Sequence, residues 1–386
     1  MSDPKLEIET ISVHVGRAVE PATGEVAPAI HLSTTFERDA DGGFSRGYSY
    51  IRPDNPGRRA LEECIAALEG GSDAMAFASG TAASLAVFSL LRPGEHVIAP
   101  IEAYHGTAQQ LRDLLGPMGV RYSFVDMTRV DAARAAFSKD TRLLWIETPS
   151  NPMLNISDIE ALASLAHERG AIVCCDNTFA TPVWQRPFAL GADLVMHSST
   201  KYFGGHSDAM GGVIVVRERG ELAERLRAYQ ATAGSVPSPF DCWLIRRSLT
   251  TLACRVRAQT QNAGEIASFL AQHPAVERVF YPGLESHPGH AIARRQMSGF
   301  GAMLSFCVRG GRAEAFDVAA RTKLFIRATS LGGIESLIEH RASVEGPHSV
   351  TPDNLLRVSV GLENVQDLIA DLDQALSKRQ EQPVTG

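Results

Sequence analysis

From Arg58 onward the apolar positions impose an order on the chain. Leu61, Ile65 and Leu68 recur at helical spacing, and Gly70-Gly71 stops the helix that they predict. Short apolar runs then alternate with longer helical patterns. The runs, at 74–77, 96–99, 122–125, 143–146, 172–175, 194–196 and 213–216, predict seven strands. Helical stretches such as 159–168, closed by Gly170, lie between them. Strands that are apolar nearly throughout, each followed by a helix, predict an α/β architecture with a mostly parallel sheet covered on both faces. Right-handed crossovers in such a sheet bring the loops after the strand ends to one edge, where ligands bind.

The pattern changes twice. Residues 1–56 are rich in Pro, Gly and polar residues without a period, and predict an arm that folds onto something else rather than a domain. A helical region from about 239 to 273 is followed by strand-like 276–280 and 303–308, helical 313–321, strand-like 356–360 and helical 365–378. This order predicts a smaller α+β domain. The expected organisation is an arm over 1–56, a large domain over 57–250 and a C-terminal domain over 251–386, with a polar end at 378–386.

Composition narrows the function classes. The 386 residues carry a net charge of -7, which offers no basic surface for nucleic acid or anionic membrane. No apolar run reaches the length of a membrane span, and the acidic start MSDPKLEIET does not read as a secretory signal, so a cytoplasmic chain is expected. The six cysteines form no CxxC pair and predict buried free thiols; the histidines show no ligand spacing, and no metal is expected.

Four segments at predicted strand ends carry chemistry. In His197-Ser198-Ser199-Thr200-Lys201-Tyr202-Phe203-Gly204-Gly205-His206 a lysine follows a strand, with hydroxyls before it and glycines after. Schiff-base chemistry needs an amine that sheds its proton readily, as a desolvated lysine does. Asp176 ends an apolar strand 25 residues earlier, followed by Asn177-Thr178. Alone it would read as a helix cap; beside a pyridine ring it would keep the nitrogen protonated. Ser79-Gly80-Thr81 opens a helix after a strand, where free N–H groups and the positive helix end suit a phosphate. Glu147-Thr148-Pro149-Ser150-Asn151-Pro152 places Asn151 where it can bond a ring hydroxyl.

Together with Ser330-Leu331-Gly332-Gly333-Ile334-Glu335-Ser336-Leu337, these segments resemble the transsulfuration (Cys/Met metabolism) family of fold-type I pyridoxal-phosphate (PLP) enzymes, from about residue 10 to 376. The resemblance implies a fold-type I transferase with a seven-stranded sheet between helices, and pyridoxal 5'-phosphate as cofactor. It makes Lys201 the Schiff-base lysine and Asp176 the partner of the ring nitrogen. Gly80, Thr81, Ser198 and Thr200 would hold the phosphate, with Asn151 and Thr178 beside the ring. Tyr104 would stack on the ring and assist the leaving group. Arg357, in Leu355-Leu356-Arg357-Val358-Ser359, would hold the substrate α-carboxylate, with Ser330 flanking it. Tyr50 and Arg52 match a pair that reaches the phosphate of the neighbouring subunit, which implies a homotetramer, a dimer of dimers with shared sites.

The departures concern substrate choice. Where cystathionine γ-enzymes of the family carry an arginine, five positions after the stacking tyrosine, this chain has Gln109; where they carry glutamate, it has Thr329. The cysteine of methionine γ-lyases is replaced by Gly106, and Arg341 and Glu345 are extra charges in Glu339-His340-Arg341-Ala342-Ser343-Val344-Glu345-Gly346. The expected activity is γ-elimination or γ-replacement on a small L-amino acid with sulfur or oxygen at Cγ: methionine, homocysteine, O-acylhomoserine, cystathionine or a canavanine-like compound. The alternatives are a cystathionine γ-synthase or γ-lyase proper, a β-lyase releasing pyruvate, and a non-catalytic PLP-binding protein.

Overall fold

The computed structural model describes residues 6–346 and 349–377; the polar end expected at 378–386 lies outside them. Twelve strands form two sheets among the described residues. The first contains β1 (Asp73–Phe77), β2 (His96–Pro100), β3 (Arg121–Val125), β4 (Thr141–Glu147), β5 (Ile172–Asp176), β6 (Leu194–His197) and β7 (Gly212–Val216), in the order β1-β7-β6-β5-β4-β2-β3. Only β7 runs against the rest. Alternate residues of a strand enter different cores. Leu143 and Trp145 pack with Phe77, Val87 and Phe88 on one face, while Leu144 and Ile146 pack with Leu162 and Val173 on the other. Burial on both faces is why these strands lack polar alternation, except for β3, which lies at the sheet edge and is only partly buried.

The second sheet contains β8 (Val276–Phe280), β9 (Met303–Val308), β10 (Ile326–Arg327), β11 (Leu337–His340) and β12 (Leu355–Ser359), in the order β10-β11-β12-β9-β8. The apolar runs do not reveal β10 or β11. The first has two exposed residues, and the second carries Glu339 and His340 in four positions, so pairing with β12 rather than periodicity makes it a strand. A third core cluster joins the two regions, uniting Leu61, Ile65 and Val213 with Ile266, Phe306 and Val358.

Local chemistry sets the element ends. The helix Pro56–Glu69 starts at Asn55, whose Oδ1 accepts from the N–H groups of Gly57 (3.0 Å) and Arg58 (3.3 Å), and stops at Gly70 with φ of +78°. Three expectations need correction. The arm is not irregular throughout, because Ile8–His14 is a helix. The helical region from 239 to 273 is two helices, Pro239–Leu249 and Leu252–Gln272. At the break, the Thr250 and Thr251 hydroxyls donate to the carbonyls of Arg247 and Ser248, an alternative to continuing the helix. Five cysteines are buried, but Cys254 is exposed. Among the described residues no helix is long and apolar enough to cross a membrane.

Candidate active site

Strands β4, β5 and β6 end side by side, and the loops that follow them form one wall of a cavity of about 470 Å³, within the range of small-molecule and cofactor sites. The opposite wall comes from the segment around Ser330, from Arg341 and from Arg357 on β12. Twelve of the predicted residues line this one space: Gly80, Thr81, Tyr104, Asn151, Asp176, Thr178, Ser198, Thr200, Lys201, Thr329, Ser330 and Arg357.

Asp176 ends β5 with its Oδ1 accepting from the Thr178 hydroxyl (2.5 Å) and N–H (3.0 Å). The Thr178 oxygen in turn accepts from the N–H of Ser198 (2.9 Å), which ties the end of β5 to the loop after β6. Burial raises the Asp176 carboxyl above its ordinary range against the pull of these bonds. A cationic ring nitrogen at this carboxylate would offset that penalty, so the site fits a pyridinium. The phosphate cradle fits as well. Ser79 caps the nine-residue helix Gly80–Phe88, its Oγ accepting from the N–H of Ala82 at 3.1 Å. A Cβ on Gly80 would come within 2.9 Å of the Cβ and Oγ of Ser198, so only glycine lets the helix start and this hydroxyl meet.

Lys201 Nζ donates to Ser330 Oγ at 2.9 Å. Ser330 holds this position with φ of +81°, a backbone region that non-glycine residues rarely adopt and that concentrates at functional sites. Burial, then the charges of Arg357 and Arg341, lower the Lys201 amine to about 8, against the opposing charge of Glu339. An amine so placed loses its proton far more readily than a surface lysine. Arg357 is buried, and burial followed by Arg341 brings its guanidinium down to about 10.

Glu147, not among the predicted site residues, also lines the cavity. It ends β4 directly beside Asp176, and its Oε2 accepts from the N–H of Tyr104 at 2.7 Å. Burial, then the Asp176 charge, push its carboxyl well up, which favours a proton on it. The available signal was its position: an acid closing an apolar strand, four residues before Asn151 in the same segment. Arg341, noted only as an extra charge, faces the cavity too. Gly106 has a steric explanation, since a Cβ there would lie 2.6 Å from the Tyr104 ring.

Three predicted residues lie elsewhere. Gln109, at the end of the helix His105–Gln109, is exposed and does not line the cavity. Tyr50 is 46% exposed, and Arg52 donates to the carbonyl of Ala231 at 2.6 Å in the same chain.

Sequence comparison agrees with this geometry. Residues 9–377 match the family model described as Cys/Met metabolism PLP-dependent enzyme. The chain belongs to this family. It is therefore a PLP-dependent enzyme. Its relatives carry different activities at similar distances. A cystathionine gamma-synthase of Mycobacterium tuberculosis is 49% identical, over 95% of this chain and 96% of its own. A cystathionine beta-lyase of Coxiella burnetii is 42% identical, over 97% and 99%. The crystal structure of a methionine gamma lyase from Micromonospora echinospora superposes with a TM-score of 0.91 at 44% identity, covering 96% of this chain and 99% of that one.

Proposed function

We propose that this enzyme catalyses γ-elimination or γ-replacement on an L-amino acid with sulfur or oxygen at Cγ. The observation that carries the reading is the approach of Lys201, Asp176 and Arg357, from three separate strands or loops, to one cavity. Bound there, PLP supplies an electron sink for charge developing at the substrate α-carbon. Lys201 would carry the cofactor; once freed, its depressed amine takes the α-proton, gives that proton up to the bound cofactor, and as a neutral amine again takes a proton from Cβ. Asp176, oriented by Thr178, keeps the ring nitrogen protonated. Gly80, Thr81, Ser198 and Thr200 hold the phosphate, and Tyr104 stacks on the ring and assists the leaving group. Arg357 holds the α-carboxylate, with Asn151 and Ser330 beside it.

Thr329 lines the cavity without charge, and Gln109 stands outside it. A substrate with a second amino-acid end finds no charged grip at either position, so cystathionine is not the best substrate. Tyr50 and Arg52 leave their own cavity unvisited, which supports their serving a neighbouring subunit in a homotetramer with shared sites.

The test is to incubate the PLP-loaded enzyme with L-methionine, O-acetyl-L-homoserine, L-cystathionine, L-canavanine and L-cysteine. Formation of 2-oxobutanoate, or of homoserine by addition of water, is expected from the γ-substituted compounds. Pyruvate from L-cysteine or L-cystathionine with no γ-product would overturn the reading.

A further inference from the structure

The substrate wall contains more charge than binding one carboxylate requires. Glu339 on β11 lies directly opposite Arg357 on β12, which makes the two cross-strand neighbours. Arg357 Nη1 donates to Asn151 Oδ1 (3.1 Å), while Nη2 donates to both the Ser330 carbonyl (2.8 Å) and Glu339 Oε2 (2.8 Å). A guanidinium grips a carboxylate at two points in two ways, through Nη1 and Nη2 at its end or through Nε and Nη2 along its side. Both ways use Nη2, and both Nη2 hydrogens are already engaged. The Ser330 carbonyl belongs to a backbone fixed by its neighbours, so Glu339 is the partner able to leave.

Arg341 holds the same oxygen. Its Nη1 donates to Glu339 Oε2 at 2.9 Å, and its Nε donates to Glu345 Oε1 at 3.1 Å. Glu345 is anchored behind it, Oε2 accepting from the hydroxyls of Ser349 (2.7 Å) and Thr351 (2.6 Å). The side chains of Arg357, Glu339 and Arg341 are 4%, 10% and 9% exposed. A charge that far from water is costly to leave unpaired. The arrangement leaves none unpaired at either stage.

We infer that Glu339 is a resident counter-anion that the substrate α-carboxylate displaces from Arg357, and that Arg341 receives it. Arg357 is thus paired before substrate arrives, and Glu339 stays paired afterwards. Glu339 and Arg341 are positioning residues, acting on substrate through Arg357. The inference rests on Arg357 being the α-carboxylate site.

The experiment measures dissociation constants on the PLP-loaded enzyme by calorimetry, for L-norvaline, which has no leaving group at Cγ, and for n-butylamine, the same amine without the carboxylate. Glu339→Gln replaces a charged competitor with a neutral one and tightens L-norvaline about 3–10-fold. Arg341→Met strands Glu339 on displacement and weakens L-norvaline about 3–10-fold. The double variant behaves like Glu339→Gln, because Arg341 has nothing left to receive. Butylamine binds equally in all of them, and in turnover the shift falls on KM more than on kcat. Weaker L-norvaline binding in Glu339→Gln overturns the proposal, since Glu339 would then merely orient Arg357. So does an Arg341→Met effect that persists in the Glu339→Gln background. If Arg341→Met does not fold, the nearly isosteric Glu339→Gln decides by its sign alone. Arg357→Ala reports on the underlying reading and should bind L-norvaline no better than butylamine. If it retains the discrimination, the carboxylate assignment and the displacement both fall; if it loses it while Glu339→Gln weakens binding, only the displacement falls.

Discussion

On the cavity wall made by the large sheet, Asp176 and Glu147 stand at the ends of strands buried on both faces; Thr178, two positions on, holds the first, and the N–H of Tyr104 in the loop after β2 holds the second. On the wall made by the small sheet, Arg357, Glu339, Arg341 and Glu345 hold one another through alternating charges. The first wall is rigid because apolar strands and short hydrogen bonds leave its groups no alternative partner. The second offers a choice of partners, and its charges can be exchanged. A cofactor that stays bound suits the first kind of wall; a substrate that enters and leaves suits the second. Removing a group from the cofactor wall should therefore cost far more than altering one on the substrate wall.

Lys201→Ala tests the largest difference. Losing the base alone lowers kcat by about 10²–10⁴-fold, and the visible absorption of attached cofactor should vanish while circular dichroism shows an intact fold. Full turnover in this variant would remove Lys201 from the mechanism. Asp176→Ala comes next. Loss of one partner of a buried ion pair costs about 3–5 kcal/mol, to be read as weaker PLP binding together with lost activity. Near-normal activity would exclude Asp176 as the partner of the ring nitrogen.

The arm adds a third contributor. Arg52→Ala and Lys201→Ala chains should each be poor alone, yet a mixed dimer holds one site with both groups intact. Mixing should recover activity up to about half that of the unaltered enzyme per mixed dimer, because interfaces of this kind can complete one another's sites. Mixed dimers seen by mass measurement without any recovery would break the shared-site reading.

Stability against pH probes the cofactor wall from another side. The Lys201 amine in the folded chain lies near 8, below its ordinary 10.5, chiefly through burial. A lowered lysine value makes the charged form a cost to folding. That cost is full below pH 8, shrinks between 8 and 10.5 and vanishes above. Without PLP, Lys201→Met should accordingly raise stability at pH 7 by up to about 3 kcal/mol, and the gain should fade as pH rises. Thermal unfolding at pH 7 and pH 10 checks it; a gain independent of pH would mean that the methionine acts through packing.

The smallest effects belong to specificity. Thr329→Glu puts a charge into the cavity and should shift kcat/KM toward cystathionine by about 10–100-fold at most. Gln109→Arg, outside the cavity, should change it less than about 2-fold, as surface substitutions do. Equal effects from both would mean that Gln109 reaches substrate through another subunit.

The sequence by itself determined the seven strands of the large sheet: six are buried on both faces and so are apolar nearly throughout, and the partly exposed edge strand β3 still shows an apolar run. It also singled out the candidate cofactor-side residues from Asp176 to Lys201, since each lies within a few positions of a strand end, although the contacts that orient Thr178 and Lys201 come from 20 and 129 residues away. Tertiary structure alone decided that Glu339 faces Arg357. They stand 18 residues apart, β11 has no apolar period to announce it, and the meeting depends on strand register. It likewise decided that Arg341 turns into the cavity while Gln109 turns away. Whether a charge on a loop or a helix end faces a ligand or water depends on which elements pack beside it, and those elements come from distant parts of the chain.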